Sequence, residues 1–284
     1  MRFLVIFLIL DLLATTSAQK IDIPPEPAYK GHFRNDGERT NIARKVAHWT
    51  PKEKTTAWEE SGLYQGDIME PDDQDSRNGV EGDGKRWPNA TVPYYIHKDF
   101  FNKHERKRIL SAMDEFHKNT CITFRPYNKH DSTYVVIKGE NGGCWSYIGR
   151  VSGTKKPGQQ LNLQTPNCAK RGTIVHELLH ALGFYHQHSS IDRDRYVKIL
   201  WQNIKPGKES DFQKKFSKDF NVGYDYDSIM HYSAYANSKN KKPTILPKNN
   251  KASIGQRIKL SKKDIMKLST MYRCKKVNGK WKFY

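Results

Sequence analysis

Residues 173–196 read TIVHELLHALGFYHQHSSIDRDRY, and the segment from His176 to His186 decides how the chain is built. His176 and His180 are four residues apart, so on a helix they lie on one face, one turn apart. Both imidazoles can then reach a single zinc ion at about 2.0–2.1 Å. Glu177 projects to another side of that helix, placed to reach a water on the metal rather than the metal itself. Gly183 can adopt a positive φ, end the helix and turn the chain back. That turn brings His186 round as a third ligand. A lone histidine in an apolar helix is ordinarily a core residue, and a bare HExxH recurs by chance. The glycine and third histidine at these offsets single the stretch out.

Three neutral imidazoles leave a dipositive site with one open position. Zinc so held lowers the pKa of its water from 15.7 to about 7. Glu177 can take that proton, direct the hydroxide at a carbonyl and return the proton to the leaving amine. The expected reaction is peptide-bond hydrolysis through a zinc-bound water activated by Glu177, with no covalent enzyme intermediate.

The pattern HExxHxxGxxH is the extended motif of the metzincins, and Tyr226–Ser233 (YDSIMHYS) supplies a methionine-containing turn. With Ser228–Tyr232 read as S-x-M-H-Y and Asp192-Arg193-Asp194 downstream of the motif, the chain resembles the astacin family of zinc metalloendopeptidases. The resemblance extends over Arg86–Ile96, Gly143–Arg150 and Leu260–Cys274. It implies that Met230 is the Met-turn residue. It implies that Tyr232 is an extra zinc ligand that swings away to stabilise the oxyanion of the tetrahedral intermediate. It also selects Cys121–Cys274 and Cys144–Cys168 among the three pairings that four cysteines allow. Tyr64-Gln65-Gly66-Asp67 resembles the family's pro-segment switch, with Asp67 ligating zinc where the catalytic water would sit. Arg77-Asn78-Gly79 resembles its activation site. In most astacins the new amine pairs with a glutamate after the third histidine. Here that residue is Gln187, so errors in trimming at Asn78 are expected to be tolerated. The usual arginine three residues further on is Ser190. The family often favours an acidic residue after the scissile bond, and the lysines of Asn237–Lys242 are candidates to border that subsite.

Residues 1–18 read as a secretory signal peptide: Arg2, an apolar run over Phe3–Leu10, and Thr16-Ser17-Ala18 as a small-residue cleavage site. The run is too short for a transmembrane anchor, which needs about 20 apolar residues. A secreted, extracellular protein is expected, in which disulfides are permitted. Asn89-Ala90-Thr91 is the one N-glycosylation sequon.

Charge divides the chain. Residues 1–77 carry 10 Lys+Arg against 13 Asp+Glu, and residues 78–284 carry 39 against 17. Residues 19–77, rich in Pro, Gly and Asp, read as an acidic pro-segment that cannot bury a core of its own. Residues 78–284 suffice for one packed domain. Strands are expected near Val92–Ile96, Ile122–Arg125, Tyr134–Lys138 and Gln160–Leu163. Helices are expected over Phe101–Lys118, from Gly172 and near Ser261–Tyr272, with loop-rich chain after Gly183. The fold class is α+β: a two-lobed metzincin-like domain, with a mostly β N-terminal lobe plus zinc helix and an irregular C-terminal lobe.

The chain therefore reads as a secreted zinc endopeptidase made as a zymogen, monomeric, with protein or peptide substrates and one zinc per chain. An inactive zinc-binding relative would have no reason to keep Glu177. A nucleic-acid-binding role is disfavoured by the signal peptide and by lysines scattered outside any recognised motif. A net charge of +19 on an exported protein suits acidic polysaccharide or an anionic surface, unless it is simply solvated.

Overall fold

The computed structural model describes residues 22–27, 33, 35–70, 85–151 and 158–284. The expected signal peptide and the Arg77–Asn78 cut lie outside these residues. The first half of the catalytic part is a five-stranded sheet. Its strands are β1 (Thr91–Ile96), β2 (Thr123–Pro126), β3 (Val135–Lys138), β4 (Cys144–Trp145) and β5 (Gln159–Leu163), in the order β2-β1-β3-β5-β4. All pairings are parallel except the last, where β4 runs antiparallel to β5 at the edge.

Parallel strands need long crossovers, and helix α2 (Lys103–Asn119) supplies one between β1 and β2. Asn102 and Glu105 form a reciprocal capping box at its start. Its apolar face, Ile109, Ala112, Met113 and Phe116, is buried. β3 and β5 are buried along their whole length, as strands covered on both faces must be. The polar residues of β5 find partners by bracing the neighbouring loops. Asn162 Nδ2 donates to the carbonyls of Glu140 and Gly143 at 2.8 Å each, and Gln159 Nε2 to that of Gly149 at 2.9 Å.

Helix α3 (Arg171–Ala181) follows β5 and is buried from Gly172 onward. Gly172 lies against the Arg257 carbonyl, where a side chain would collide with backbone. After α3 the chain is mostly loops and short 3₁₀ turns. They are punctuated by the antiparallel pair β6 (Val197–Ile199) and β7 (Ile245–Pro247), helix α4 (Lys262–Met271), and the hairpin β8 (Cys274–Val277) and β9 (Lys280–Phe283). Disulfides join Cys121 to Cys274 and Cys144 to Cys168. The first ties the end of α4 back to the chain after α2. No described helix is long and apolar enough to cross a membrane.

The acidic segment is more ordered than its composition suggests. Asp36–His48 forms a helix, α1, capped by Asn35 and burying Ile42 and Val46. It makes no core of its own but joins the main one. Two amides of the catalytic part hold its last turn. Asn167 Nδ2 donates to the carbonyls of Val46, Ala47 and Trp49 at 2.8, 3.2 and 2.9 Å, and Gln164 Nε2 to that of Ala43 at 2.8 Å. Further on, Ile68 bridges Ser146 in parallel, with hydrogen bonds from Met69 N to Ser146 O and from Ser146 N to Asp67 O. The segment thus extends the sheet beyond β4.

Candidate functional site

Helix α3 ends at Ala181, one residue after His180. Its cap is Leu182, and Gly183 follows at φ 111°, a conformation that favours glycine. The reversal sets His186 beside His176 and His180. The three Nε2 atoms face one another, His180 to His186 at 3.3 Å and His186 to His176 at 3.2 Å. Each Nδ1 faces an oxygen: His176 the Ile229 carbonyl at 2.8 Å, His180 the Phe184 carbonyl at 2.6 Å, His186 the Gln65 Oε1 at 3.0 Å. An oxygen acceptor requires the proton on Nδ1, which leaves every Nε2 lone pair aimed at the common centre.

Asp67 completes the group. Its Oδ2 lies 2.9 Å from His176 Nε2, and its Oδ1 lies 3.3 Å from both His180 and His186 Nε2. All four side chains are fully buried. Burial raises the Asp67 carboxyl, but the surrounding imidazoles of His186, His180 and His176 hold it well below the usual range, so it is ionised. Burial lowers His176 to about 4 and His186 to about 3, so these imidazoles are neutral. The four donor atoms lie within 4.8 Å of one another. Ligand atoms around a tetrahedral zinc at about 2.0–2.1 Å stand roughly 3.3 Å apart. The donor set therefore fits such an ion in type, charge and spacing.

Glu177 is fully buried next to this centre, and neither carboxylate oxygen has a hydrogen-bond partner among the described residues. Burial, with a smaller contribution from the Asp67 charge, raises its pKa well above the usual value. A buried polar group without a partner is costly and calls for an explanation. Tyr232 is likewise buried, and its hydroxyl has no partner among the described residues. Its ring stacks on His188 at 3.8 Å and lies 4.8 Å from that of His186. Burial raises its phenol well above 10. Met230 is buried below, and its carbonyl accepts from Gln187 N at 2.9 Å. Asp264 fixes this turn from the start of α4, accepting from Ser228 Oγ at 2.6 Å and from Ile229 N and Ser261 N at 3.0 Å each. Asn89 lies apart, exposed on a 3₁₀ turn before β1.

Several residues here carry no sequence expectation. Trp58 is fully buried and stacks on His176 at 4.2 Å and on His186 at 5.0 Å, covering the donor set. Glu59 next to it accepts from Ser233 N at 2.7 Å and Ser233 Oγ at 2.9 Å, and pairs with Arg257 at 3.3 Å. The Arg257 guanidinium lies 4.8 Å from the Trp58 ring centre. Thr56-x-x-Glu59 is a capping box legible in the sequence, but its reach to Arg257 is not. The lysines expected to border a subsite, Lys239, Lys241 and Lys242, sit exposed on a turn, while Asn237 is buried and donates to Asp211. The cation paired with a carboxylate beside the donor set is Arg257. Gln187 also has a partner already: Lys267 Nζ donates to its Oε1 at 2.6 Å in a buried contact.

Residues 79–273 match the family model Astacin, a family of peptidases. Among curated relatives, the zinc metalloproteinase nas-14 of Caenorhabditis elegans is 42% identical over 194 residues, covering 67% of this chain and 38% of that protein. Seminal metalloprotease 1 of Drosophila melanogaster is 40% identical over 221 residues, covering 75% and 88%. Meprin A subunit beta of Mus musculus is 39% identical over 217 residues, covering 75% and 29%. The chain thus spans well under two thirds of nas-14 and most of the seminal protease. Among solved structures, High choriolytic enzyme 1, a hatching enzyme zinc-protease from Oryzias latipes, superposes with a TM-score of 0.61 at 35% identity, covering 67% of this chain and 94% of that one.

Proposed function

The chain belongs to the astacin family of zinc peptidases, and from that premise we propose that it is a secreted zinc endopeptidase, held latent by residues 19–77 until they are removed. The observation that carries this reading is the convergence of three Nε2 lone pairs beside the Glu177 carboxylate, which has no hydrogen-bond partner among the described residues. His176, His180 and His186 would hold the zinc. When bound, the metal supplies a Lewis acid that polarises a carbonyl and brings a water near pKa 7.

Everything else falls to side chains and backbone. The edge strand β4, occupied in this form by residues 67–69, offers main-chain hydrogen bonds that would align an extended peptide. Glu177 would accept the proton of the attacking water and deliver it to the leaving nitrogen. Tyr232, whose hydroxyl has no partner among the described residues, would donate to the oxygen that becomes negative, and would be a further zinc ligand at rest. In the latent form Asp67 takes the place of the water, and Trp58 covers the imidazoles. Two paired disulfides and the N-terminal apolar run support export, with Asn89 exposed for glycosylation. The expected subunit state is a monomer.

The test is direct. The processed chain should hydrolyse peptide with one zinc bound, lose activity to a chelator and regain it with zinc; activity unchanged by complete zinc removal would reject the reading. Tyr232→Phe should lower kcat by about 10²–10³-fold with little change in KM, because a donor to a developing oxyanion acts in the transition state.

Arg257 sets the expected specificity. Its side chain is largely buried, and burial lowers its pKa to about 10, against the attraction of Glu59. Once Glu59 leaves with the pro-segment, the guanidinium has lost its carboxylate. A substrate carboxylate placed next to the scissile bond would restore the pair. Arg257→Gln should cut kcat/KM for peptides with Asp or Glu at that position by roughly tenfold or more, the scale of a charge-assisted hydrogen bond, and leave neutral peptides nearly unaffected. Equal losses on both peptide classes would show that the arginine is structural.

A further inference from the structure

The chain continues past residue 273, where the family match ends, into the hairpin β8–β9. Its two-residue loop is Asn278-Gly279, with φ of 49° and 74°, the conformation of a type I′ turn. Such a turn fixes register, and register fixes which side chains share a face. The pairs are Cys274 with Phe283, Lys275 with Lys282, Lys276 with Trp281, and Val277 with Lys280. One face therefore carries Cys274, Lys276, Trp281 and Phe283. Two of these turn inward: Cys274 is bonded to Cys121, and both Cys274 and Trp281 pack against the main core, while Lys276 and Phe283 are exposed. The opposite face carries Lys275, Lys280 and Lys282, all exposed, with half-buried Val277.

Lys275 thus stands directly across from Lys282. Like charges in that relation destabilise a strand pair, and a two-stranded hairpin is marginal to begin with. Nothing on this face offsets them: among the described residues no carboxylate forms an ion pair with any of the three lysines. What steadies Lys275 is the Tyr284 ring, 5.0 Å from its ammonium. The result is a short ladder of lysines whose Cβ atoms are spaced by about 5–7 Å on a turn-locked, disulfide-anchored support.

We propose that this face docks a linear sulfated polysaccharide, so that the enzyme is retained on acidic polymer by a surface separate from its catalytic cleft. A row of cations on an extended ribbon matches a chain of regularly spaced anions, and the gain comes from releasing the counterions of both. A lipid surface fits less well. Interfacial binding needs apolar side chains to bury, and the lysine face offers only half-buried Val277 and the Tyr284 ring beside Lys275, the exposed Phe283 standing on the other face.

The test uses the full unprocessed chain and immobilised heparin. Lys275→Gln/Lys280→Gln/Lys282→Gln should weaken binding by about tenfold or more at physiological salt and make its salt dependence shallower. Lys239→Gln/Lys241→Gln/Lys242→Gln, equal in charge removed, should have a much smaller effect. Lys282→Glu should weaken binding without lowering the Tm, since it sets an opposite charge across from Lys275. Equal effects of the two triple variants would show that net charge alone is felt and overturn the proposal. So would loss of binding to phosphatidylserine vesicles with heparin binding intact, which would make the face a membrane contact. Peptide hydrolysis by the processed forms reports separately: an inactive chain with the expected heparin pattern rejects the peptidase reading and leaves this one standing.

Discussion

Glu177→Gln should leave zinc bound to the processed chain and reduce peptide hydrolysis by about 10²–10⁴-fold, the usual contribution of a positioned general acid–base group. The structure explains why the two effects should separate. In the processed chain His176 and His180 are still oriented from behind, by Ile229 O and Phe184 O, and neither bond involves Glu177. The glutamate is held among buried groups by its place on α3, with no hydrogen-bond partner among the described residues. An amide of the same size keeps the packing and removes only the ability to take a proton. Metal content, Tm and hydrolysis should be measured on the same sample. Hydrolysis near the parent level at full zinc occupancy would sink the assigned role.

Asp67→Ala in the unprocessed chain should release activity on small peptides without any cut in the backbone. The ionised Asp67 carboxylate contacts three neutral imidazoles, and contacts made by a charged group are worth about 1.5–3 kcal/mol each. Losing two of them would shift the closed-to-open ratio by roughly 10²–10⁴. Full mature activity is not expected, because Trp58 still stacks on two imidazoles and Glu59 still pairs with Arg257. Adding Trp58→Ala should raise the rate further. Gel electrophoresis run beside the assay establishes that the chain is intact. A silent variant that retains zinc would refute the aspartate as the switch.

How far these sites were legible depends on how local they are. His176, Glu177, His180 and His186 lie within eleven residues, so helical periodicity and one glycine specify their relation. Strands β1 and β3 announce themselves as β-branched or apolar runs, whereas β5 reads QQLNL, with three amides among its five residues. Helix α1 does not. Its apolar stripe is only Ile42 and Val46, and its last turn is held by Gln164 and Asn167, far along the chain. Strands β6 and β7 have three residues each, too few to show alternation, and meet across more than forty intervening residues. Glu59 shows its capping box to the sequence, yet its pairing with Arg257 spans 198 positions. Gln187 illustrates the same limit. Its replacement of a glutamate was visible, but the buried ammonium of Lys267 that already bonds it was not.

The clasp of α1 by Asn167 and Gln164 bears on when activity begins. Those two amides lie just before Cys168, whose bond to Cys144 anchors them in a surface that a cut after Arg77 would leave in place. A cut after Arg77 severs a tether; it breaks none of the contacts made by α1, Trp58, Glu59 or Asp67. What was an internal contact at high effective concentration becomes an ordinary bimolecular complex. The severed fragment then leaves at its own dissociation rate, and rebinds wherever it accumulates. Onset of hydrolysis would follow dilution as well as cleavage: slow in a confined, concentrated secretion, and complete only once the fragment has diffused away or been digested.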